Sequence, residues 1–466
     1  MFTEIKSVHF IGIGGTGMAA AAAAMQEKGF KVTGSDQNVY EPMASFLAGK
    51  KISVMNGYAA SNLAHKPDLV VVGNTVSRGN PEGECVLDQK LRYCSLPELL
   101  REFFIRGKRS IVVSGTHGKT TTTSLLAWVF EHNGLNPSFF IGGIPGNFSQ
   151  GARFTDSEWI IIEGDEYDTA FFDKRSKFIH YQPEAAIINN LEFDHADIFE
   201  NLAAIQKTFS HFIRIIPSNG LLLANGDDPN LAPLLNVNFC PVKRFGLGEN
   251  NAVKAFNLNL APTASEFEIP SFKFRVNLVG EFNVRNALAV VACAKHFGLS
   301  NKQIQSAFET FKGVKRRMDV RGVAGGVTVI DDFGHHPTAI RVTMDALRLK
   351  FPREKIWAVF EPRTNTTRRN VFQNEMVSAF SKANSIVVSQ VARLEQLAPN
   401  ERMDPEKLMT DLKASGKDAA YLPDADAIVA HIAKNAVGGD VVVVFSNGGF
   451  GGIHGKLLDQ LARARR

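Results

Sequence analysis

Apolar and polar positions alternate along this chain in a repeating order. Short apolar runs of strand length separate longer amphipathic stretches of helix length. The runs are Val8–Ile13, Leu69–Val72, Ser110–Ser114, Trp159–Ile162, Ala185–Ile188, Gly326–Ile330, Ile356–Phe360 and Val441–Phe445. That order predicts an α/β fold of βαβ units, with parallel sheets covered by helices on both faces. Three of the runs, Val8–Ile13, Ser110–Ser114 and Gly326–Ile330, lead into turns rich in glycine or histidine, and each opens a segment of its own. Gly107-Lys108 and the stretch after Arg317 read as linkers, which puts boundaries near residues 107 and 323 and predicts domains of 1–107, 108–323 and 324–466. Asn257–Asn277 differs. Its short alternating segments, punctuated by Pro262 and Pro270, predict a small antiparallel sheet inside the middle domain.

Composition narrows the class without changing that picture. A chain of 466 residues suits about three domains at roughly 150 residues each. Ordinary globular usage, 44% hydrophobic and 21% charged, excludes a disordered, fibrous or coiled-coil chain. The net charge of +5 is small for this length, and outside Arg463–Arg466 no long basic run forms. A nucleic-acid partner is therefore not expected, whereas small anionic ligands are. Cys85, Cys94, Cys240 and Cys293 are scattered without a CxxC pair, which predicts buried thiols in a reducing cytosol and no zinc site. Met1–Phe10 carries Glu4 and Lys6 and shows no signal-peptide core, and the nearby apolar stretch Met18–Met25 is far too short to span a bilayer. The expectation is a soluble cytoplasmic protein with no membrane partner.

Two loops carry phosphate-binding chemistry. Gly12-Ile13-Gly14-Gly15-Thr16-Gly17 follows a predicted strand and opens an alanine-rich helix, and Asp36 follows Gly17 after roughly 20 residues. Glycines there permit a tight turn and let backbone N–H groups approach a diphosphate, while the acid would reach a ribose hydroxyl. Read alone, this loop predicts an NAD-dependent dehydrogenase. The second loop, Gly115-Thr116-His117-Gly118-Lys119-Thr120-Thr121, lies between the run Ser110–Ser114 and a helix. Its ending matches the nucleotide-triphosphate loop, although Val113 stands at the usual first glycine. Backbone N–H groups would cradle phosphates, Lys119 would reach the β- and γ-phosphates, and the Thr120 hydroxyl suits Mg²⁺. A dehydrogenase leaves this second loop without work.

Acidic groups follow two later strands. Trp159–Ile162 ends in Glu163 and continues into Asp165, Glu166 and Asp168, four carboxylates in six residues. Glu163 falls at the carboxyl end of a buried strand, where open α/β sheets place ligands. Ala185–Ile188 leads through Asn189-Asn190 to Asp194-His195. His195 is readable either as a metal ligand or as an ordinary satisfied histidine.

Together these residues resemble the Mur ligase family. The loop Gly115–Thr121, Glu163, the Asp194-His195 pair, Gly280–Ala287 and Lys315-Arg316-Arg317 occur in that family's order and approximate spacing. The resemblance covers essentially the whole chain. It implies a Rossmann-like N-terminal UDP-sugar domain, a central P-loop ATPase domain with a parallel sheet plus a small antiparallel sheet, and a Rossmann-like C-terminal acceptor domain. Gly12, Gly14, Gly15, Thr16, Gly17 and Asp36 would then serve a UDP-muramyl diphosphate and not NAD. By motif the resemblance assigns Gly115–Thr121 to ATP, with Lys119 on phosphate. It puts Thr120 and Glu163 on Mg²⁺, and His195 on a second Mg²⁺ that Glu163 would bridge. Asn283, Asn286, Arg317 and Asp332 would contact the nucleotide. The chain departs from the family at Phe282, where histidine is common.

Within the family, Gly12–Gly17 and Asp331–Thr338 are similar to the branch acting on UDP-N-acetylmuramate. Glu166–Arg175, Asn189–Asp197, Glu361–Thr366 and Ser446–His454 favour the members that join L-alanyl-γ-D-glutamyl-meso-diaminopimelate to it, over those that join L-alanine. The resemblance implies that the muramyl carboxylate attacks the γ-phosphate of ATP, and that the tripeptide amine then displaces phosphate from the acyl phosphate. Lys119, Arg317 and two Mg²⁺ would neutralise the transferring group. Arg363 and Asn365, just past the strand Ile356–Phe360, are the candidate acceptor residues. A non-enzymatic ATP-binding module or switch is the other reading, and it leaves the histidine-rich third segment unexplained.

Overall fold

The structure is a computed structural model that describes residues 2, 4–39, 41 and 43–464. Met1 and Thr3 of the opening segment and Arg465 and Arg466 of the basic tail lie outside the described residues. The chain divides into two compact units. The first comprises residues 1–191, 202–254 and 289–307, and the second residues 192–201, 255–288 and 308–466.

The first unit contains two large sheets. In the N-terminal one the strands lie in the order Ser53–Asn56, Lys31–Asp36, Ser7–Ile11, Leu69–Val72 and Tyr93–Ser95, all parallel. Val8, Phe10 and Leu69–Val72 are buried because helices cover both faces, so these strands read as continuous apolar runs. The opening strand stops at Ile11, two residues short of the predicted run, because the backbone turns at Gly12 with φ +82°. The central sheet has eight strands, in the order Val253–Lys254, Val242–Gly246, Leu221–Asn225, Ala185–Ile188, Arg109–Ser114, Trp159–Glu163, Ser138–Phe140 and Ala152–Arg153. Only the last pair is antiparallel.

Register within the central sheet positions the site. Val113 pairs with Glu163 and Ser114 with Ile188, so three neighbouring strands end at one edge. The loops that follow them meet there. Helix Lys119–His132 then runs back across the sheet with Thr120–Ala127 buried. Two of its hydroxyls are satisfied within the helix, as Thr123 donates to the Lys119 carbonyl at 2.7 Å and Ser124 to that of Thr120 at 2.6 Å, while Thr122 accepts from Asn189 at 3.0 Å. A threonine-rich stretch can therefore be both helical and buried. The hairpin Asp168–Ala170 with Asp173–Ser176 packs Phe171 and Phe172 against the core of the N-terminal sheet.

The second unit holds two further sheets. Strands Phe256–Leu260, Ser265–Ile269 and Phe272–Val276 form the antiparallel sheet expected within Asn257–Asn277. The other sheet has the order Asp319–Ala324, Val327–Asp332, Val441–Phe445, Ile356–Phe360, Ser385–Ser389 and Asp418–Leu422, antiparallel only at its first pair. Residue 323 falls inside the first of these strands. Met344, Phe360 and Phe380 pack one face, and Val329, Trp357 and Leu457 the other. Among the described residues no helix is long and apolar enough to cross a membrane.

Candidate active site

The phosphate loop is held by the backbone beside it. Gly115 has φ +124°, and a Cβ on it would stand 2.8 Å from the Asn190 carbonyl oxygen, so no side chain fits. The Thr116 N–H donates to that carbonyl at 3.0 Å. The Asn190 side chain completes the clamp, accepting from the His117 N–H at 2.7 Å and donating to the His117 carbonyl at 3.1 Å. Gly118, with φ +80°, caps the helix that begins at Lys119. Thr121 is buried in the first turn of that helix.

Lys119 points into the loop. Its ammonium donates to the Gly115 carbonyl at 2.7 Å and to Glu166 Oε1 at 2.9 Å. Burial alone would lower its pKa, but the carboxylates of Glu166, Asp165 and Glu163 hold it above the usual lysine range. Desolvation pushes the pKa of the half-exposed Asp165 up, yet Lys177, at 2.5 Å, and Lys119 outweigh it and hold the acid at about 2. Thr120 Oγ1 donates to Glu163 Oε1 at 2.9 Å, and Glu163 Oε2 accepts from the Gly142 N–H at 2.7 Å. A hydroxyl and a carboxylate thus stand side by side at the mouth of a phosphate loop. Such hard oxygen donors fit Mg²⁺, which takes one or two protein oxygens and completes its octahedron with phosphate and water.

The first glycine loop lies in the same unit. Gly12 and Ile13 donate their N–H groups to the Ser35 carbonyl, and Gly15 precedes the helix Thr16–Glu27. Asp36 turns inward: its Oδ2 accepts from the Gly14 N–H at 2.8 Å, bracing the turn. Gly17 permits a close approach, since a Cβ there would stand 2.9 Å from the Phe140 ring.

The remaining candidates lie in the second unit. Asn286 Nδ2 donates to Asn283 Oδ1 at 3.2 Å, and Asn283 Nδ2 to the Val279 carbonyl at 2.9 Å, with both residues buried. Asp332 accepts from the Gly334 and Met318 N–H groups at 2.8 Å, and burial pushes its pKa up against the pull of Arg317. The Arg317 guanidinium lies 5.2 Å from the Phe333 ring. His195 takes a left-handed backbone, φ +56°, with its N–H on Asp194 Oδ1 at 2.7 Å. Asn365 Nδ2 donates to Asp197 Oδ2 at 2.8 Å. Arg363 lies against Gly448, its guanidinium where a Cβ would stand.

The structure therefore gathers Gly115–Thr121 with Glu163, Asn283 with Asn286, and Arg317 with Asp332. Sequence reasoning assigned no role to Glu166, the counter-ion of Lys119, or to Asn190, the clamp of the loop. The carboxylate run that contains Glu166 was the only signal for the first. Asn190 carried none beyond its place after a strand.

Three family descriptions match the chain in succession: "Mur ligase family, catalytic domain" over residues 7–108, "Mur ligase middle domain" over 113–294, and "Mur ligase, glutamate ligase domain" over 316–448. The chain is 42% identical to the UDP-N-acetylmuramate–L-alanyl-γ-D-glutamyl-meso-2,6-diaminoheptandioate ligase of Escherichia coli K12, over 98% of each chain. It is 33% identical to the UDP-N-acetylmuramate–L-alanine ligase of a Polaromonas species, again over 98% of each. Among solved structures it is similar to a murein peptide ligase from Psychrobacter arcticus, with TM-score 0.74 and 35% identity over 98% of this chain and 99% of that one.

Proposed function

The chain belongs to the Mur ligase family, and from that premise we propose that it joins the tripeptide L-alanyl-γ-D-glutamyl-meso-diaminopimelate to UDP-N-acetylmuramate at the expense of ATP. One observation carries the choice of acceptor. Over the same 98% of the chain, identity is 42% to a ligase named for the tripeptide and 33% to one named for L-alanine. The protein is an ATP-dependent ligase that forms an amide bond. We place it in the cytoplasm, in peptidoglycan recycling, and divide it into a UDP-sugar domain at 1–107, an ATPase domain at 108–323 and an acceptor domain at 324–466.

A carboxylate and an amine do not condense unaided in water, so the carboxylate must first gain a leaving group. The muramyl carboxylate oxygen attacks the γ-phosphorus, the bond to the β-phosphate bridging oxygen breaks, and an acyl phosphate and ADP result. The tripeptide's alanyl amine then attacks the acyl carbon, loses a proton, and expels phosphate. This chain supplies positioning and charge. The backbone of Gly115–Gly118 cradles the phosphates, and Lys119 exchanges its contact with Glu166 for the transferring group. Thr120, Glu163 and His195 are the residues that would hold Mg²⁺, two ions by the family resemblance. Mg²⁺ when bound neutralises phosphate charge as a Lewis acid. Asn283, Asn286, Arg317 and Asp332 serve the nucleotide, the loop Gly12–Gly17 braced by Asp36 serves the UDP diphosphate, and Arg363 and Asn365 serve the acceptor.

Phosphate release from ATP with UDP-N-acetylmuramate tests the reading. The tripeptide should support rapid release, and L-alanine or no acceptor very little. Equal efficiency with free L-alanine would move the chain to the alanine branch. Oxidation of NADH by any candidate substrate would revive the dehydrogenase.

A further inference from the structure

The second unit contains a cavity of about 280 Å³ that none of the residues assigned above line. Its apolar walls are the rings of Phe193 and Phe372, with centroids 6.4 Å apart, and the buried His336 packs 4.5 Å from the Phe372 ring. Its rim carries two exposed charges of opposite sign, Arg341 and Glu375. Among the described residues no ion pair engages either side chain. The other acid of the lining, Glu192, lies beside His336, its Oε2 3.5 Å from Nδ1, and has partners of its own. An unpaired cation and an unpaired anion facing one small cavity suit a ligand that carries both signs close together.

The same strap of chain joins this cavity to the candidate acceptor residues. At its start the Phe193 ring lines the cavity, and the Phe193 carbonyl accepts from His336 Nε2 at 3.1 Å. Further on, the Ala196 N–H donates to Thr366 Oγ1 at 3.1 Å, and Asp197 accepts from Asn365 at 2.8 Å. Residues 193–197 therefore run from the cavity wall to the loop that bears Arg363 and Asn365. A volume of about 280 Å³ lies near the lower end of ligand cavities. It suits one amino-acid end of a longer molecule, not a whole nucleotide.

We propose that this cavity is a subsite for the far end of the acceptor, a zwitterionic α-amino-acid group, with Arg341 holding its carboxylate and Glu375 its ammonium. The inference rests on the tripeptide reading above and extends it. The third residue of that acceptor carries a second ammonium and a second carboxylate, which the reaction at the alanyl end does not consume. A guanidinium can take the carboxylate through two parallel hydrogen bonds, and the aromatic walls accommodate the methylene chain that leads to it.

Four acceptors separate the two contacts: the tripeptide itself, its analogues ending in lysine (ammonium only) and in 2-aminopimelate (carboxylate only), and the dipeptide lacking the third residue. Acceptor kcat/KM is measured for the wild type, Arg341→Met and Glu375→Gln, with the KM for UDP-N-acetylmuramate alongside. In the wild type each charge on the third residue should raise kcat/KM about tenfold, the usual worth of a hydrogen bond to a charged group. Arg341→Met should abolish the gain from the carboxylate alone, and Glu375→Gln the gain from the ammonium alone. Neither should change use of the dipeptide or the KM for UDP-N-acetylmuramate. Retention of both gains in both variants, or an equal loss across all four acceptors, overturns the subsite and leaves the tripeptide reading standing. A wild type that prefers free L-alanine to every peptide overturns the tripeptide reading, and the subsite with it.

Discussion

The Lys119 ammonium lies 2.9 Å from the carboxylate of Glu166, whose side chain is only 3% exposed. The ion pair places the cation of the phosphate loop on a buried partner, 47 residues along the chain, that no phosphate-loop pattern includes. Its removal has consequences for stability as well as for chemistry.

Lys119→Ala should lower ligase activity about 100-fold or more, the scale of losing a preorganised charge at a transition state. It should also destabilise the fold by about 3 kcal/mol, because the buried Glu166 loses its counter-charge. Adding Glu166→Gln should recover most of the stability and none of the activity. Denaturant titration and phosphate release read the two effects separately, and unchanged stability in the single variant would refute the pairing.

Thr120→Val and Glu163→Gln remove the two oxygens that stand together at the loop mouth. Each should raise the Mg²⁺ concentration for half-maximal activity, by roughly tenfold or more on the scale of metal-site substitutions. His195→Ala should do the same if its imidazole serves Mg²⁺ as the resemblance implies. An unchanged Mg²⁺ titration removes the substituted residue from the metal shell.

Asp173 accepts from the Arg175 backbone N–H at 3.0 Å, from its guanidinium at 2.8 and 2.9 Å, and from His180 at 3.0 Å. Burial pushes its pKa up, but these donors and charges outweigh it and hold the acid at about 2. An unfolded aspartate titrates near 3.9, so the folded state binds the proton less readily. The stabilisation is thus complete above about pH 4 and is lost as pH falls towards 2. Asp173→Asn should be less stable at pH 7 and should lose less stability than wild type between about pH 4 and 2. Thermal melts across that range check it; parallel curves would show that Asp173 does not titrate there.

Gly448→Ala would place a methyl group where the Arg363 guanidinium lies. Displacing that side chain should raise the tripeptide KM about tenfold and leave the KM for UDP-N-acetylmuramate unchanged. Arg363→Lys should act in the same direction, since an ammonium cannot reproduce the guanidinium fork. Unchanged tripeptide kinetics in both variants would clear Arg363 of the acceptor role.

Local patterns carried the framework. Strands such as Leu69–Val72, Ala185–Ile188, Ile356–Phe360 and Val441–Phe445 coincide with the predicted runs because helices bury both faces, leaving uninterrupted apolar stretches. The phosphate loop was readable because its backbone geometry demands glycine at set spacings. Edge strands such as Ala152–Arg153 and Val253–Lys254 were not, since two residues leave no periodicity to detect. What folding alone settled is which distant groups meet. Asn190 clamps the His117 backbone from 73 positions away, Asp36 closes on Gly14 where the glycine pattern alone points it at a ribose, and Gly448 makes room for Arg363. Each contact depends on strand order and register, which place remote loops at one sheet edge. Hydrophobic periodicity specifies only the face a residue buries and says nothing of the partner it meets there.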